Sequence, residues 1–345
     1  MRSLALTPAG LTLFLATAAI LLAGTALAAR WLPWFRRGSP DLRADRLLLA
    51  VLCPLLASGA ITLFVMATLV EDLLAFHQVP HLCLDPGALS TAGRFAVFAL
   101  EGGTLLALVA TGCQMARAIQ LLRQYERAID GQQLGLSDQA AAAVARVRER
   151  LECTAEFCEA DLPRPTAFVL GARRPRCIIA RSLVERLSPE ELGAAIAHEA
   201  AHLHRGDHIA QLLIFTCGRL FGFLPPVRAL LSAWEEAAEL AADDLAVERT
   251  GCRLELAAAL LAAARWASQP GPTLAGGSAA FLARRVERLL APAPAMPTSA
   301  RQRYLTVLIA GGLASGIVQV VAHSPLLPSL HCLVESLALL AWPAM

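Results

Sequence analysis

The chain contains no lysine, so all 30 of its basic residues are arginines. Chemistry that needs a lysine side chain is therefore excluded, including Schiff-base catalysis, a P-loop and the Ser-x-x-Lys acylation site of penicillin-binding domains. Charged residues of both signs are scarce, at 17% of the chain against about 25% in soluble domains. With a net charge of +2 and no basic stripe, the sequence indicates no direct nucleic-acid partner.

The nine cysteines do not form a disulfide framework, because their number is odd and they are dispersed along the chain. The closest pair, Cys153 and Cys158, has no second pair that would complete a zinc-ribbon spacing. We therefore expect most cysteines to be small apolar core residues.

Apolar residues are in excess, at 56% of the chain with a mean hydropathy of +0.54. Soluble domains hold about 45–50% apolar residues, so this chain has more apolar surface than one aqueous core can bury. Four stretches are long enough to cross a bilayer, which needs roughly 20 apolar residues. They are Ala9–Ala29, Leu47–Val70, Phe95–Ala116 and Leu305–Ala322.

The loops between these stretches differ in charge. Arg30–Arg46 holds five arginines, whereas Glu71–Arg94 holds one. The positive-inside rule therefore places the first loop in the cytoplasm and the amino terminus outside. A cleaved signal peptide would put the five arginines on the wrong side, so the first stretch is interpreted as a retained helix.

These features predict a mainly α, multi-pass helical membrane protein with one polar domain. Residues 1–117 are expected to form three transmembrane helices with connecting loops. Residues 118–303 are expected to form a cytoplasmic or membrane-associated domain, and residues 304–345 a fourth transmembrane helix with a short tail. The expected location is the inner (plasma) membrane of a bacterial-type cell, with the polar domain facing the cytoplasm.

The motif His198-Glu199-Ala200-Ala201-His202 carries the chemistry. Histidines four residues apart share one face of a helix, so both imidazoles can reach one metal ion. Glu199, beside the first histidine, can approach a metal-bound water as general base. The spacing predicts one zinc ion bound by His198 and His202, with Glu199 as the catalytic residue.

The sequence before the motif predicts a well-defined helix start. Ser188 is expected to be the N-cap, Pro189 the first helical residue, and Glu191 the partner that closes a capping box. The motif therefore lies about ten residues inside a helix, where its spacing has geometric meaning.

Zinc in a catalytic site needs a third protein ligand, and two candidates compete. Glu239 and Asp243 are four residues apart in the next long helical pattern, so Glu239 can bind zinc while Asp243 accepts the other ring proton of a histidine ligand. The rival is His208, as in metzincins, but those enzymes require a glycine three residues after the second histidine. Arg205 occupies that position and Gly206 is one place late. The pattern favours Glu239.

Three segments resemble the BlaR/MecR antirepressor peptidase family. His198–His208 (HEAAHLHRGDH) resembles its active-site helix, and Glu239–Asp243 (ELAAD) resembles its downstream Glu-x-x-x-Asp segment. Val169–Ile179 resembles the strand-turn-strand that precedes the helix. HtpX-like and CAAX-processing peptidases have the same arrangement of metal ligands. The resemblance implies a gluzincin-like metallopeptidase domain in which His198, His202 and Glu239 bind zinc, Glu199 activates water and Asp243 supports a ligand from behind.

The segments around the motif carry further expectations. Thr166–Leu170 and Cys177–Ala180 predict a short β-hairpin, which either receives an extended substrate at its edge or is purely structural. Gln120–Glu159 is interpreted as helical with interruptions. Ile209–Leu224 cannot cross the membrane, since that would separate Glu239 from His198, so it is expected to be buried or re-entrant. The candidate oxyanion donors are His204, Arg205 and His208.

The predicted function is zinc-dependent endoproteolysis of a cytoplasmic or membrane-proximal protein, and cleavage of a transcriptional repressor in regulatory signalling is one form of it. A quality-control protease for membrane proteins is an alternative, as is a zinc-binding signalling scaffold that cuts nothing. The expected partners are a protein substrate and the lipid bilayer. Direct β-lactam sensing is not expected, because about twenty residues follow the last predicted span and no Ser-x-x-Lys site can exist.

Overall fold

The computed structural model of the protein describes residues 22–54, isolated residues between 113 and 124, and residues 126–171, 174–267 and 279–291. The four predicted spans lie wholly or largely outside these residues, so they stay predictions. Within the described part of the chain, no helix combines the length and the apolar character that crossing a bilayer requires.

The described residues belong to two compact units. The first includes residues 22–31 and 49–54, and the second includes residues 32–48 and all described residues from 117 onward. In the first unit, helix α1 (residues 22–30) closely approaches Pro54, because a Cβ atom at Gly24 would lie only 3.0 Å from the proline Cβ. The predicted boundaries at residues 117 and 303 stay predictions, and residues 32–48 are described here with the second unit.

Helices dominate the described residues, as the predicted mainly α fold class requires. After α1 the helices are α2 (Leu32–Phe35), α3 (residues 40–54), α4 (residues 126–130), α5 (Asp138–Leu151), α6 (Arg181–Val184), α7 (Pro189–Arg205), α8 (Asp207–Phe221), α9 (Pro225–Thr250), α10 (Arg253–Ala267) and α11 (Ala279–Leu290). The strands are β1 (Gln133–Leu134), β2 (Glu156–Ala160), β3 (Ala167–Leu170) and β4 (Arg176–Ala180).

The four strands form one sheet in the order β1-β2-β4-β3. The predicted hairpin is confirmed, since β3 and β4 pair antiparallel with Phe168 opposite Ile178. The helical interpretation of Gln120–Glu159 is wrong for β1 and for most of β2. Strand β2 pairs in parallel with β4, a pairing between distant segments that leaves four of the five β2 residues buried and hides the alternation typical of a half-exposed strand.

Helix α7 lies at the centre of the second unit, where α5, α9 and α10 pack against it. Its capping box is confirmed: the Ser188 hydroxyl accepts from the Glu191 N–H at 3.2 Å, and the Glu191 carboxylate accepts from the Ser188 N–H at 3.0 Å. Leu192 and Ile196 are fully buried, and small alanines between them let neighbouring helices come close. The described buried cysteines, which are free thiols, are Cys153, Cys158, Cys177 and Cys217.

Helix α8 follows α7 after one glycine and is only partly buried. Ala210, Ile214 and Cys217 face the protein. The opposite face is apolar and exposed, with Ile209 at 45% and Phe215 at 50% of their full accessibility. A fully buried helix is therefore the wrong alternative for this segment, while the re-entrant alternative stays a prediction. Helix α9 then begins at Pro225.

Candidate metal centre

The metal-binding candidates come together where α7 packs against α9. The Nε2 atoms of His198 and His202 lie 3.2 Å apart. The Glu239 carboxylate faces both rings, with Oε2 at 3.4 Å from His198 Nε2 and Oε1 at 3.6 Å from His202 Nε2. One ligand atom from each of the three residues lies within 4.8 Å of the other two, so the group could hold a metal ion.

The spacing of the two Nε2 atoms and the two Glu239 oxygens fits a small divalent cation. Two ligand atoms that are each about 2.1 Å from an ion, at a near-tetrahedral angle, lie about 3.4 Å apart. The separations between the two Nε2 atoms and the Glu239 oxygens are 3.2, 3.4 and 3.6 Å. The donor set of two imidazoles and one carboxylate leaves a fourth position available to water or substrate.

A buried carboxylate lies behind each histidine, as a hydrogen-bond partner of His202 and as a close charged contact of His198. The His198 Nδ1 atom lies 2.9 Å from Asp243 Oδ1, and the His202 Nδ1 atom lies 2.9 Å from Asp207 Oδ2. Such a carboxylate holds the proton on Nδ1 and leaves the Nε2 lone pair for a metal. The sequence indicated Asp243 for this position but missed Asp207. The available signal was Gly206, which can end the helix and turn the next residue back toward His202.

Arg285 of α11 is also part of the site, although no sequence pattern predicted it. Its Nε and Nη2 atoms donate to Asp243 Oδ2 and Oδ1, each at 2.8 Å, and its Nη1 lies 2.8 Å from Glu239 Oε2. The side chain is 11% exposed. This guanidinium fixes the two acidic residues of α9 relative to each other and lines the same cavity as the histidines.

The site contains more acidic than basic groups. Five carboxylates outnumber two guanidiniums, those of Arg205 and Arg285. The carboxylates belong to Asp41, Glu199, Asp207, Glu239 and Asp243. A divalent cation would reduce this excess of negative charge.

The charged neighbours also govern proton binding at the three candidate ligands. Burial lowers the pKa of both histidines, but the adjacent carboxylates outweigh it and raise the pKa of His198 and, more strongly, of His202. Burial raises the pKa of Glu239, but His198, His202 and Arg285 hold that pKa well below its usual range. Glu239 is therefore an ionised carboxylate, which is the form that binds a cation.

Glu199 and the candidate ligands line one cavity of about 430 Å³. Burial raises the pKa of the Glu199 carboxyl, and the two neighbouring histidines only partly oppose this shift. A raised carboxyl pKa suits a group that must accept a proton near neutral pH. Strand β3 borders the same cavity through Ala167, Phe168 and Val169, and Thr166 just before the strand lines it as well.

The three candidate oxyanion donors lie in different surroundings. His208 lines the cavity but is not among the three clustered ligand groups, and burial lowers its pKa, which favours a neutral ring. His204 is exposed and lines a separate cavity with Arg176. Arg205 is buried in ion pairs with Asp207 and Asp41. The structure thus brings only His208 of these three to the cavity.

A helix that carries H-E-x-x-H, paired with a glutamate from a neighbouring helix over a shared cavity, defines a metallopeptidase. The chain belongs to the BlaR1 peptidase M56 family, whose sequence model matches residues 47–289.

A stretch of 54 residues is 43% identical to Protease HtpX of Escherichia coli O1:K1 / APEC, of Salmonella arizonae and of Shigella boydii serotype 18. The stretch covers 15% of this chain and 18% of each relative. The chain therefore spans less than a fifth of the length of these curated relatives.

Proposed function

We propose that this protein is a zinc-dependent endopeptidase in which His198, His202 and Glu239 bind one zinc ion. The observation that carries the proposal is the cluster of two Nε2 atoms and one carboxylate at mutual distances of 3.2 to 3.6 Å. Zinc is the metal that proteins most often bind with two histidines, one glutamate and an open position in hydrolytic sites.

The proposed chemistry assigns one role to each group of the cavity. Bound zinc supplies a Lewis acid and lowers the pKa of a coordinated water to about 7. Glu199 accepts the proton of the attacking water and passes it to the leaving amine. His208 and Arg285, which line the cavity, are candidate donors to the oxyanion. A purely structural zinc site would have no use for Glu199, which argues against the scaffold alternative.

An extended peptide is the substrate form that fits the cavity. Strand β3 is at the edge of the sheet, so one side of its backbone has no partner strand among β1–β4. The residues of this strand line the cavity together with apolar side chains of α10, among them Leu256 and Leu260. A substrate that pairs with β3 would place its peptide bonds beside the histidines and Glu199.

We further propose that the protein is a multi-pass inner-membrane protein whose catalytic unit faces the cytoplasm. The spans predicted from the sequence and the exposed apolar face of α8 support this location. The arginine-rich loop also supports it, because residues 32–48 belong to the same compact unit as the candidate site. In a cysteine-depleted chain, a membrane-impermeant reagent added to cells should label Pro86→Cys and spare Arg37→Cys. The opposite pattern would contradict a cytoplasmic active site.

The resemblance to the BlaR/MecR family extends the proposal to a regulatory substrate, such as a transcriptional repressor. A substrate in this class would be a cytoplasmic protein with an accessible extended segment. Cleavage of misfolded membrane proteins is the alternative substrate class for the same chemistry.

Replacing the proposed general base tests the function directly. Glu199→Gln should keep zinc near one ion per chain and abolish self-cleavage or cleavage of a fluorescently labelled unstructured protein. Glu190→Gln, an exposed residue in the first turn of the same helix, is the matched control and should keep both properties. Activity within a few-fold of the unchanged protein in Glu199→Gln would rule out this role.

A further inference from the structure

The carboxylate behind His202 is connected to a second buried ion pair. Asp207 is 1% exposed, and its Oδ2 atom accepts from His202 Nδ1 at 2.9 Å and from Arg205 Nε at 3.0 Å. One carboxylate oxygen therefore accepts hydrogen bonds from both the imidazole and the guanidinium. Gly206 makes this arrangement possible, because its φ of 72° ends α7 and lets α8 begin at Asp207.

The other end of the Arg205 guanidinium contacts a distant part of the chain. Its Nη1 atom donates to Asp41 Oδ1, 164 residues earlier in the sequence. Asp41 and Arg205 are 4% and 5% exposed. Asp41 lies in the first turn of α3, where Ser39 accepts from the Leu42 N–H at 3.5 Å and a carboxylate is favoured by the helix dipole.

A continuous chain of charged contacts thus runs from α3 to a metal-facing ring. Its members, in order, are Asp41, Arg205, Asp207 and His202. Buried ion pairs depend on each partner for compensation, so changing one partner redistributes the contacts of the others. With Asp41 neutralised, the Arg205 guanidinium would rely more on Asp207 and compete with His202 Nδ1 for the shared oxygen.

We propose that Asp41 and Arg205 are positioning residues of the metal site, so that metal affinity depends on the segment of residues 32–48. The two residues act through Asp207 and keep the His202 ring turned toward the metal position. This inference rests on the proposed metal-binding function. It adds that Asp41, which lies outside the predicted domain of residues 118–303, contributes to metal affinity.

The test is the zinc affinity of full-length protein in detergent, measured by competition with a chromophoric chelator. Asp41→Asn should weaken zinc binding by on the order of 10-fold, the lower end of the effect of changing a group behind a metal ligand. It should also shift the visible absorption of the cobalt-substituted protein, which reports ligand geometry. Arg205→Lys keeps the charge but replaces the planar pair of nitrogens that contacts Asp41 and Asp207 with a single ammonium, so it should weaken zinc binding similarly.

Glu159→Gln is the matched control, because it neutralises a buried carboxylate that pairs with an arginine and lies away from the candidate ligands. Glu159 is 1% exposed and accepts from Arg181 at 3.0 Å and from the Ser137 hydroxyl at 2.8 Å. This variant should lower the unfolding temperature of the metal-free protein and leave zinc affinity within two-fold. A role limited to fold stability would make Asp41→Asn behave in the same way.

A double-mutant cycle tests whether Asp41 acts through Asp207. If it does, Asp41→Asn should change zinc affinity much less in an Asp207→Ala background than alone. Equal affinities and cobalt spectra for the unchanged protein and Asp41→Asn would overturn the inference. If Asp41→Asn does not fold, an unchanged affinity in Arg205→Lys overturns it equally. A protein that binds no zinc before any substitution would instead contradict the proposed function.

Discussion

His198 and His202 both turn Nε2 toward Glu239, and both have a buried carboxylate 2.9 Å from Nδ1, but the two carboxylates come from different parts of the chain. On the His198 side, Asp243 and its partner Arg285 belong to α9 and α11. On the His202 side, Asp207 pairs with Arg205, and Arg205 in turn pairs with Asp41 of α3. One side is built from helices that follow the motif, whereas the other also requires a segment that precedes it by more than 140 residues.

The two rings therefore differ in what the arginine behind each supporting carboxylate contacts. Arg285 contacts both Asp243 and Glu239, so it fixes the His198 support together with the third candidate ligand. Arg205 contacts Asp207 and Asp41, so it fixes the His202 support to a helix that supplies no ligand. Substitutions on the two sides should therefore have different consequences for folding and for metal binding.

Glu239→Ala is expected to have the largest effect, because Glu239 faces both histidines. Removal of the third ligand should reduce the zinc content of the purified protein from about one ion per chain to near zero. His208→Ala is the control from the same cavity and should leave zinc in place. If the two variants exchange these outcomes in a metal analysis, the third ligand is His208.

Arg285→Leu should cause the next largest effect, on folding as well as on the site. Loss of this guanidinium leaves the buried Asp243 and the partly exposed Glu239 without their shared partner. Removing one partner of a buried ion pair typically costs about 3–5 kcal/mol of unfolding free energy. Urea denaturation with a chelator present measures this change in the absence of metal.

Arg284→Leu, on the same helix, is the control for Arg285→Leu. Arg284 is 53% exposed in its ion pair with Glu236, so its replacement should cost no more than about 1 kcal/mol. Equal losses of stability in the two variants would contradict a special role for Arg285.

Asp243→Ala and Asp207→Ala probe the two supports directly. Each should weaken zinc binding by about 10–100-fold, the usual effect of losing a carboxylate behind a histidine ligand. Asp244→Ala removes a neighbouring carboxylate that pairs with Arg288 instead of a histidine, so zinc affinity should change little. A normal zinc affinity in Asp207→Ala would show that the two sides are not equivalent.

The site elements that could be predicted are those encoded by local spacing. The capping box, the H-E-x-x-H helix and the pair of Glu239 and Asp243 all depend on residues three or four apart, a separation that a helix fixes without tertiary information. To predict Asp207 as the partner of His202, one would have to know that the chain turns in a left-handed conformation at Gly206. The sequence allows this conformation but does not require it.

Arg285 and Asp41 could not be predicted, because their roles exist only after distant segments pack together. Arg285 is one of several arginines in α11, and its burial distinguishes it from the exposed Arg284. Asp41 is 164 residues from its partner Arg205. Strand β2 was missed for the same physical reason, since its parallel pairing with β4 is a long-range contact.

Glu159→Gln should have the smallest effect on zinc affinity and serves as the reference for a buried carboxylate that contacts neither histidine. Burial raises the pKa of Glu159, but hydrogen bonds from Ser137 and the Arg181 guanidinium outweigh it and lower that pKa. A lowered folded-state pKa stabilises the protein above the unfolded value of about 4.3, and this contribution is lost as pH falls through the folded value. The gap in unfolding temperature between the two proteins should therefore be larger at neutral pH than near pH 3.

The central claim is that one zinc ion lies between His198, His202 and Glu239, and anomalous diffraction at the zinc edge from crystals of the full-length protein tests it most directly. One strong peak is expected about 2.1 Å from both Nε2 atoms and about 2.0–2.2 Å from a Glu239 oxygen. Asp243 and Asp207 should remain on the Nδ1 atoms behind the two rings. A peak bound by His208 or by cysteine sulfur, with Glu239 turned to solvent, would contradict the account.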